Sequence, residues 1–164
     1  MSLSGFCKER RSMNFKIRKG VLKRYKDEAG VREIFIPDEV DTIDQGAFCG
    51  CTNLERILVP GTVQVIADTA FSGCENLRSI ALPESMVRLG WYAFRGCRSL
   101  SDLTIPSSLA EIGRYAFAGC DRLLSVNVVH GEKVYRFDLG GELNNDSWQR
   151  IRHSLLRPDK AVAV

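Results

Sequence analysis

The sequence predicts a mainly β repeat solenoid, and three observations carry that expectation. Pro37, Pro60, Pro83 and Pro106 recur every 23 residues, as do Phe48, Phe71, Phe94 and Phe117. Gly50, Gly73, Gly96 and Gly119 keep the same spacing, followed by Cys51, Cys74, Cys97 and Cys120. Val31, Leu54, Leu77, Leu100 and Leu123 open successive units. Self-similarity at a fixed period of about 20–50 residues is the signature of stacked supersecondary units. At 164 residues, 45% hydrophobic and 26% charged, the chain has the size and balance of one globular domain.

The elements follow in chain order. Residues 1–13 read as a disordered leader and 14–30 as an N-terminal β-hairpin cap. Within the cap, Phe15-Lys16-Ile17-Arg18 alternates apolar with basic, and Lys19-Gly20 supplies the turn. Residues 31–128 form the solenoid: four full 23-residue units and a partial fifth. In each unit a short strand such as Leu54–Val59 ends at its proline, which cannot donate to a sheet ladder. A brief extended piece follows, Val63–Ile66 in the second unit, and Ala70-Phe71-Ser72-Gly73-Cys74 turns the chain back. The phenylalanines supply most of the core bulk.

Residues 129–164 read as a C-terminal strand–helix cap, required because an end coil leaves strand edges unpaired. Lys133–Leu139 is the strand, and Gly140-Gly141 breaks it. A helix then starts with Asn145 or Asp146 as N-cap. Its stripe of Trp148, Ile151 and Leu155 covers the last coil or, in the competing reading, presents Trp148 to a partner. Arg150, Arg152 and Arg157 lie off the stripe, and Pro158 stops the helix.

Four of the six cysteines share one repeat position, so they form a column with coils about 4.8 Å apart. Parallel side chains in a column do not converge tetrahedrally on zinc. Their Cβ vectors also run side by side instead of toward one another, against disulfide formation. The column reads as a buried ladder of small apolar side chains, with Cys49 exposed and Cys7 in the leader.

The unit, with its Ile-Pro, Ala-Phe and Gly-Cys marks, resembles the 23-residue leucine-rich repeat of the BspA type over residues 31–128. The resemblance implies a curved, right-handed leucine-rich-repeat solenoid of bacterial type with a parallel sheet on its inner face. It implies no catalytic residues. Asp44 and Ala67 stand where that family usually has the glycine seen at Gly90 and Gly113.

The functional expectation is a non-enzymatic protein–protein interaction module. His130 and His153 have no ligand-spaced companion, and no nucleophile elbow or phosphate loop is present. No catalytic residue, metal or cofactor is expected. The variable positions before Ala-Phe carry Trp91, Tyr92, Arg114 and Tyr115, which stacking brings together near Arg88 and Arg95. Trp, Tyr and Arg are the residue types that dominate interface hot spots. Phe35 and Leu58 give a second, smaller apolar patch on the first-strand face. The expected partner is a protein of unknown identity, with self-association as a further option. No apolar stretch reaches the ~18–20 residues of a membrane span. A cytoplasmic location is therefore expected, with a cell-surface adhesin fragment as the alternative if an export signal lies outside the sequence. A nucleic-acid binder is the weaker alternative. It rests on residues 1–26, where nine Lys/Arg face one acid (+8), whereas the rest of the chain carries 14 basic and 19 acidic residues (−5).

Overall fold

The computed structural model describes residues 14–155. The leader at 1–13, Cys7, Arg157 and Pro158 lie outside the described residues.

Strands β1 (Phe15–Arg18) and β2 (Val21–Tyr25) form the antiparallel hairpin. Lys19 and Gly20 both take positive φ, 50° and 78°, as a tight hairpin turn requires. The hairpin is also the lowest coil. The free edge of β2 pairs in parallel with β4 (Thr42–Ile43), Leu22 opposite Ile43.

Above it each unit contributes two strands, and each set stacks into its own parallel ladder. One sheet runs β3 (Glu33–Phe35), β5 (Arg56–Leu58), β7 (Ser79–Ala81), β9 (Asp102–Pro106) and β11 (Ser125–His130). It aligns Ile34, Ile57, Ile80 and Leu103 one period apart. The other sheet continues from β4 through β6 (Val65–Ile66), β8 (Arg88–Leu89) and β10 (Glu111–Ile112), aligning Ile43, Ile66, Leu89 and Ile112. The second extended piece of each unit is thus a true strand, only two residues long. The inward residue is aliphatic at each of these positions, and all eight are buried.

The turn side of each coil is bonded as well. The amides of Phe48, Phe71 and Phe94 each donate to the alanine carbonyl one coil above, Ala70, Ala93 and Ala116, at 2.7 Å. Gly50, Gly73 and Gly96 do the same to Ser72, Arg95 and Ala118. These bonds draw the backbones close, which the small buried alanines permit. In the fourth coil the amides of Tyr115, Phe117 and Gly119 have no such acceptor among the described residues. A depression of about 460 Å³ opens there, lined by Phe117, Gly119, Leu124, Leu139 and Leu143 among others.

Inside the coils the phenylalanines stand in one row. Ring centroids are 4.8 Å (Phe48–Phe71), 5.0 Å (Phe71–Phe94) and 5.3 Å (Phe94–Phe117) apart, with interplanar angles of 15°, 6° and 2°. Tyr25 extends the row downward, 5.2 Å from Phe48, and Phe15 lies 5.2 Å beyond it. The cysteine column runs parallel, with Cys51, Cys74 and Cys97 buried and Cys120 half-buried. Its thiols are hydrogen-bond donors, not only apolar filling. Sγ of Cys74, Cys97 and Cys120 donates to the carbonyl of Phe48, Phe71 and Phe94, respectively, at 3.1–3.2 Å. Burial, reinforced by neighbouring Cys74, pushes the Cys51 thiol up to about 12. Cys97 is also raised, by its thiol neighbours Cys120 and Cys74 and then by burial. Cys49 is exposed.

At the far end β12 (Lys133–Asp138) pairs antiparallel with β11, and helix α1 (Asn145–Leu155) packs against β10. The N-cap is Asn144, one residue earlier than the sequence suggested. Its Oδ1 accepts the Ser147 amide at 3.0 Å, and Ser147 Oγ accepts the Asn144 amide at 2.9 Å, a reciprocal cap. Asn145 serves the neighbouring sheet instead, where its Oδ1 accepts the Ile112 amide at 3.3 Å on the open edge of β10. On the same edge Ala110 O accepts from Gln149 Nε2 (2.9 Å) and Arg152 Nη1 (3.1 Å). Trp148 is fully buried and donates Nε1–H to Leu109 O at 2.9 Å, so the reading in which it faces a partner is overturned. The helix closes one sheet edge by apolar cover and by bonding its free backbone groups.

Candidate interaction surface

The aromatic and arginine side chains singled out in the third and fourth units come together on the turn side. Outward on β8, Arg88 stands in register with Glu111 of β10. Leu89 turns inward and is buried. Gly90 then presses onto the coil below: a Cβ there would lie 2.5 Å from the Ala67 carbonyl carbon and the Asp68 amide nitrogen. The chain emerges at Trp91, whose amide is pinned by Asp68 Oδ1 at 2.8 Å. One coil above, the Arg114 guanidinium carbon lies 6.0 Å from the Trp91 ring centroid. Arg95 covers the Tyr92 ring at 5.6 Å. Tyr92 and Tyr115 stack 5.4 Å apart at 19°. Trp91 and Tyr115 remain 50% and 54% exposed.

Two properties of this cluster are not those of a stacking device alone. The first is electrostatic. The ion pairs among the described residues are Lys23–Asp44, Arg32–Glu55 and Arg78–Glu55. Arg88, Arg95 and Arg114 therefore have no carboxylate within ion-pair distance among the described residues. The second is conformational. Thr69, Tyr92 and Tyr115 adopt φ of 55°, 56° and 56°, the region that Gly46 occupies at the same repeat position one or more coils below. This region costs a non-glycine residue roughly 1–2 kcal/mol. The chain thus carries bulky aromatics where a glycine would fold with less strain. Only the single glycine of that column hinted at this in the sequence, since tyrosine is not a residue expected there.

Phe35 and Leu58 are aligned by β3–β5 pairing, with Phe35 exposed and Leu58 half-buried. They lie on the other sheet, apart from Trp91, so the eight candidate residues fall into two places. A further depression, about 510 Å³, lies at the hairpin end and is lined by Lys23, Tyr25, Asp27, Cys49 and Cys51 among others. Burial, aided by Asp27, pushes the Tyr25 hydroxyl up to about 12. On the hairpin's outer face Lys16 stands directly opposite Arg24, both exposed. Among the described residues no three His, Cys, Asp or Glu side chains gather as metal ligands. No helix among them is long and apolar enough to cross a membrane.

Solved structures similar to this chain include several leucine-rich repeat proteins. One from Bacteroides ovatus is 35% identical over 60% of this chain and 25% of its own length, with a TM-score of 0.56. One from Eubacterium ventriosum is 26% identical over 67% of this chain and 30% of its own, with a TM-score of 0.63. The leucine-rich repeat protein of T. pallidum is 28% identical over 70% of this chain and 69% of its own, with a TM-score of 0.51. The chain thus spans 25% and 30% of the length of the first two. No curated protein matches it. The family model for the BspA type leucine rich repeat region matches residues 23–137 in six copies. That span begins within β2 and ends within β12. With its register, its phenylalanine row and that match together, the chain belongs to the BspA-type leucine-rich repeat family.

Proposed function

We propose that this chain is a non-enzymatic protein-interaction module whose partner docks on the surface formed by Trp91, Tyr92, Arg95, Arg114 and Tyr115. The observation that carries the reading is the left-handed backbone at Tyr92 and Tyr115, together with the half-exposed rings of Trp91 and Tyr115. The coil sets this backbone state in every unit, Gly46 and Thr69 included; what recognition accounts for is the placing of tyrosine there, beside other hot-spot residue types. Tyrosine stacking returns only about 0.5–1.5 kcal/mol. That does not exceed the combined cost of two left-handed residues. Family membership supports a scaffold role in general terms.

The test is an affinity capture from native lysate with the full chain, run beside Trp91→Ala and Tyr115→Gly. Proteins retained by the parent and lost by both variants, at melting temperatures no lower than the parent's, support the reading; identical captured sets refute it. The hairpin face with Lys16 opposite Arg24 favours a polyanion as a second reading, since like charges directly opposite destabilise a strand pair. That reading requires binding that falls steeply with salt and is lost when those two residues are neutralised.

A further inference from the structure

Resting on the docking surface just described, we propose that its partner presents an acidic polypeptide segment, whose carboxylates fork onto the guanidinium groups of Arg95 and Arg114. In both arginines the guanidinium lies over an aromatic ring, 5.6 Å above Tyr92 and 6.0 Å above Trp91. Stacking restricts the long side chain before any ligand arrives, and the N–H groups in the guanidinium plane remain free to donate. A planar fork of this kind matches a carboxylate through two parallel bonds. Neither arginine has a carboxylate partner within the described residues. Asp68 holds the Trp91 amide instead, and Glu111 stands in register with Arg88 without forming an ion pair to any of these arginines. The site therefore offers two positioned cations and two half-exposed rings, Trp91 and Tyr115, with no anion of its own on those cations. Its complement is an anionic chain that also carries contact area for rings.

A fluorescein-labelled deca-glutamate peptide titrated into the full chain, read by fluorescence anisotropy, tests this. Deca-serine and a ten-nucleotide oligothymidine serve as comparisons. Saturable binding of deca-glutamate, about tenfold weaker in Arg114→Ala and in Arg95→Ala, is expected from the loss of a charge-assisted bond. Arg114→Lys, which keeps the charge but loses the fork, is expected to bind more weakly than the parent. A variant with Lys16→Ser and Arg24→Ser is expected to bind as the parent does. Absence of deca-glutamate binding overturns the proposal. So does a lysine variant equal to the parent, a loss that tracks the hairpin variant, or oligothymidine binding with the same dependence on Arg95 and Arg114. If deca-glutamate fails while Trp91→Ala still loses captured proteins, the partner chemistry falls and the docking surface stands. If the captured set is also unchanged, both fall.

Discussion

Truncating Phe71 to alanine tests the stacked row at its most enclosed point. Phe71 has no exposed surface, and its ring lies between two others, at 4.8 Å and 5.0 Å. Large-to-small replacement of a buried phenylalanine costs about 3–5 kcal/mol in lost transfer energy and residual cavity. Each aromatic pair adds about 0.5–1.5 kcal/mol beyond area. With two such pairs and rigid, hydrogen-bonded backbone on both sides, Phe71→Ala belongs at the upper end, near about 5 kcal/mol. Phe117 keeps one ring neighbour in the row, at 5.3 Å, and adjoins the open depression. Its truncation is expected to cost roughly 1–2 kcal/mol less, since one stacking partner is missing. Phe71→Leu, which keeps most of the volume but loses both ring pairs, should cost about 1–3 kcal/mol, less than the alanine variant. Urea unfolding followed by circular dichroism gives all three values from the midpoints, provided the slope is unchanged. Losses below about 1.5 kcal/mol in both alanine variants, or a Phe117→Ala cost equal to that of Phe71→Ala, would refute the row as the main source of cohesion.

Other outcomes follow from the same geometry. A Cβ on Gly113 would sit 2.4 Å from the Gly90 carbonyl carbon, so Gly113→Ala should destabilise by about 1–3 kcal/mol or more, whereas Gly61→Ala, with open space around it, should be neutral or slightly stabilising; thermal melts distinguish the two. Because the Cys51 thiol is raised from 9.0 to about 12, the folded state resists its ionisation. The stability this contributes is whole below pH 9 and is lost as pH rises toward 12, and Cys51→Ala should flatten the decline in urea midpoints across that window. Trp148→Phe leaves Leu109 O without its donor and should cost about 1–3 kcal/mol, with faster amide exchange at Ile112 on the capped edge. Denatured, unreduced protein should titrate six free thiols; fewer would mean that cysteines are bonded to one another.

Most of the fold was legible in the sequence because the period itself dictates stacking: residues one period apart must meet when coils lie on each other. The phenylalanine row, the cysteine column and the pairing of Trp91 with Arg114 all follow from that single fact, while the Lys19-Gly20 turn was legible from its own residue types. What escaped was whatever depends on backbone orientation within a coil. Nothing in the letters shows that the cysteine thiols reach a carbonyl one coil down. Nor do they show that Tyr92 and Tyr115 share the left-handed backbone of Gly46, because tyrosine ordinarily avoids it. The cap of α1 was misplaced by one residue because Asn144, Asn145 and Asp146 are all competent caps. Only the geometry of the β10 edge, which claims Asn145, decides among them.

The amides of Tyr115, Phe117 and Gly119, which have no acceptor on a coil above among the described residues, bear on how such a rod can change length. They are the donors that each lower coil already uses, in the same order and spacing. A tandem copy of one unit, spliced in before the terminal cap, would bring matching carbonyls and matching rings without asking any neighbour to alter its conformation. Growth or shortening by whole windings is therefore the mildest large change this architecture can undergo. An insertion of any other size would break the column alignment from that point onward.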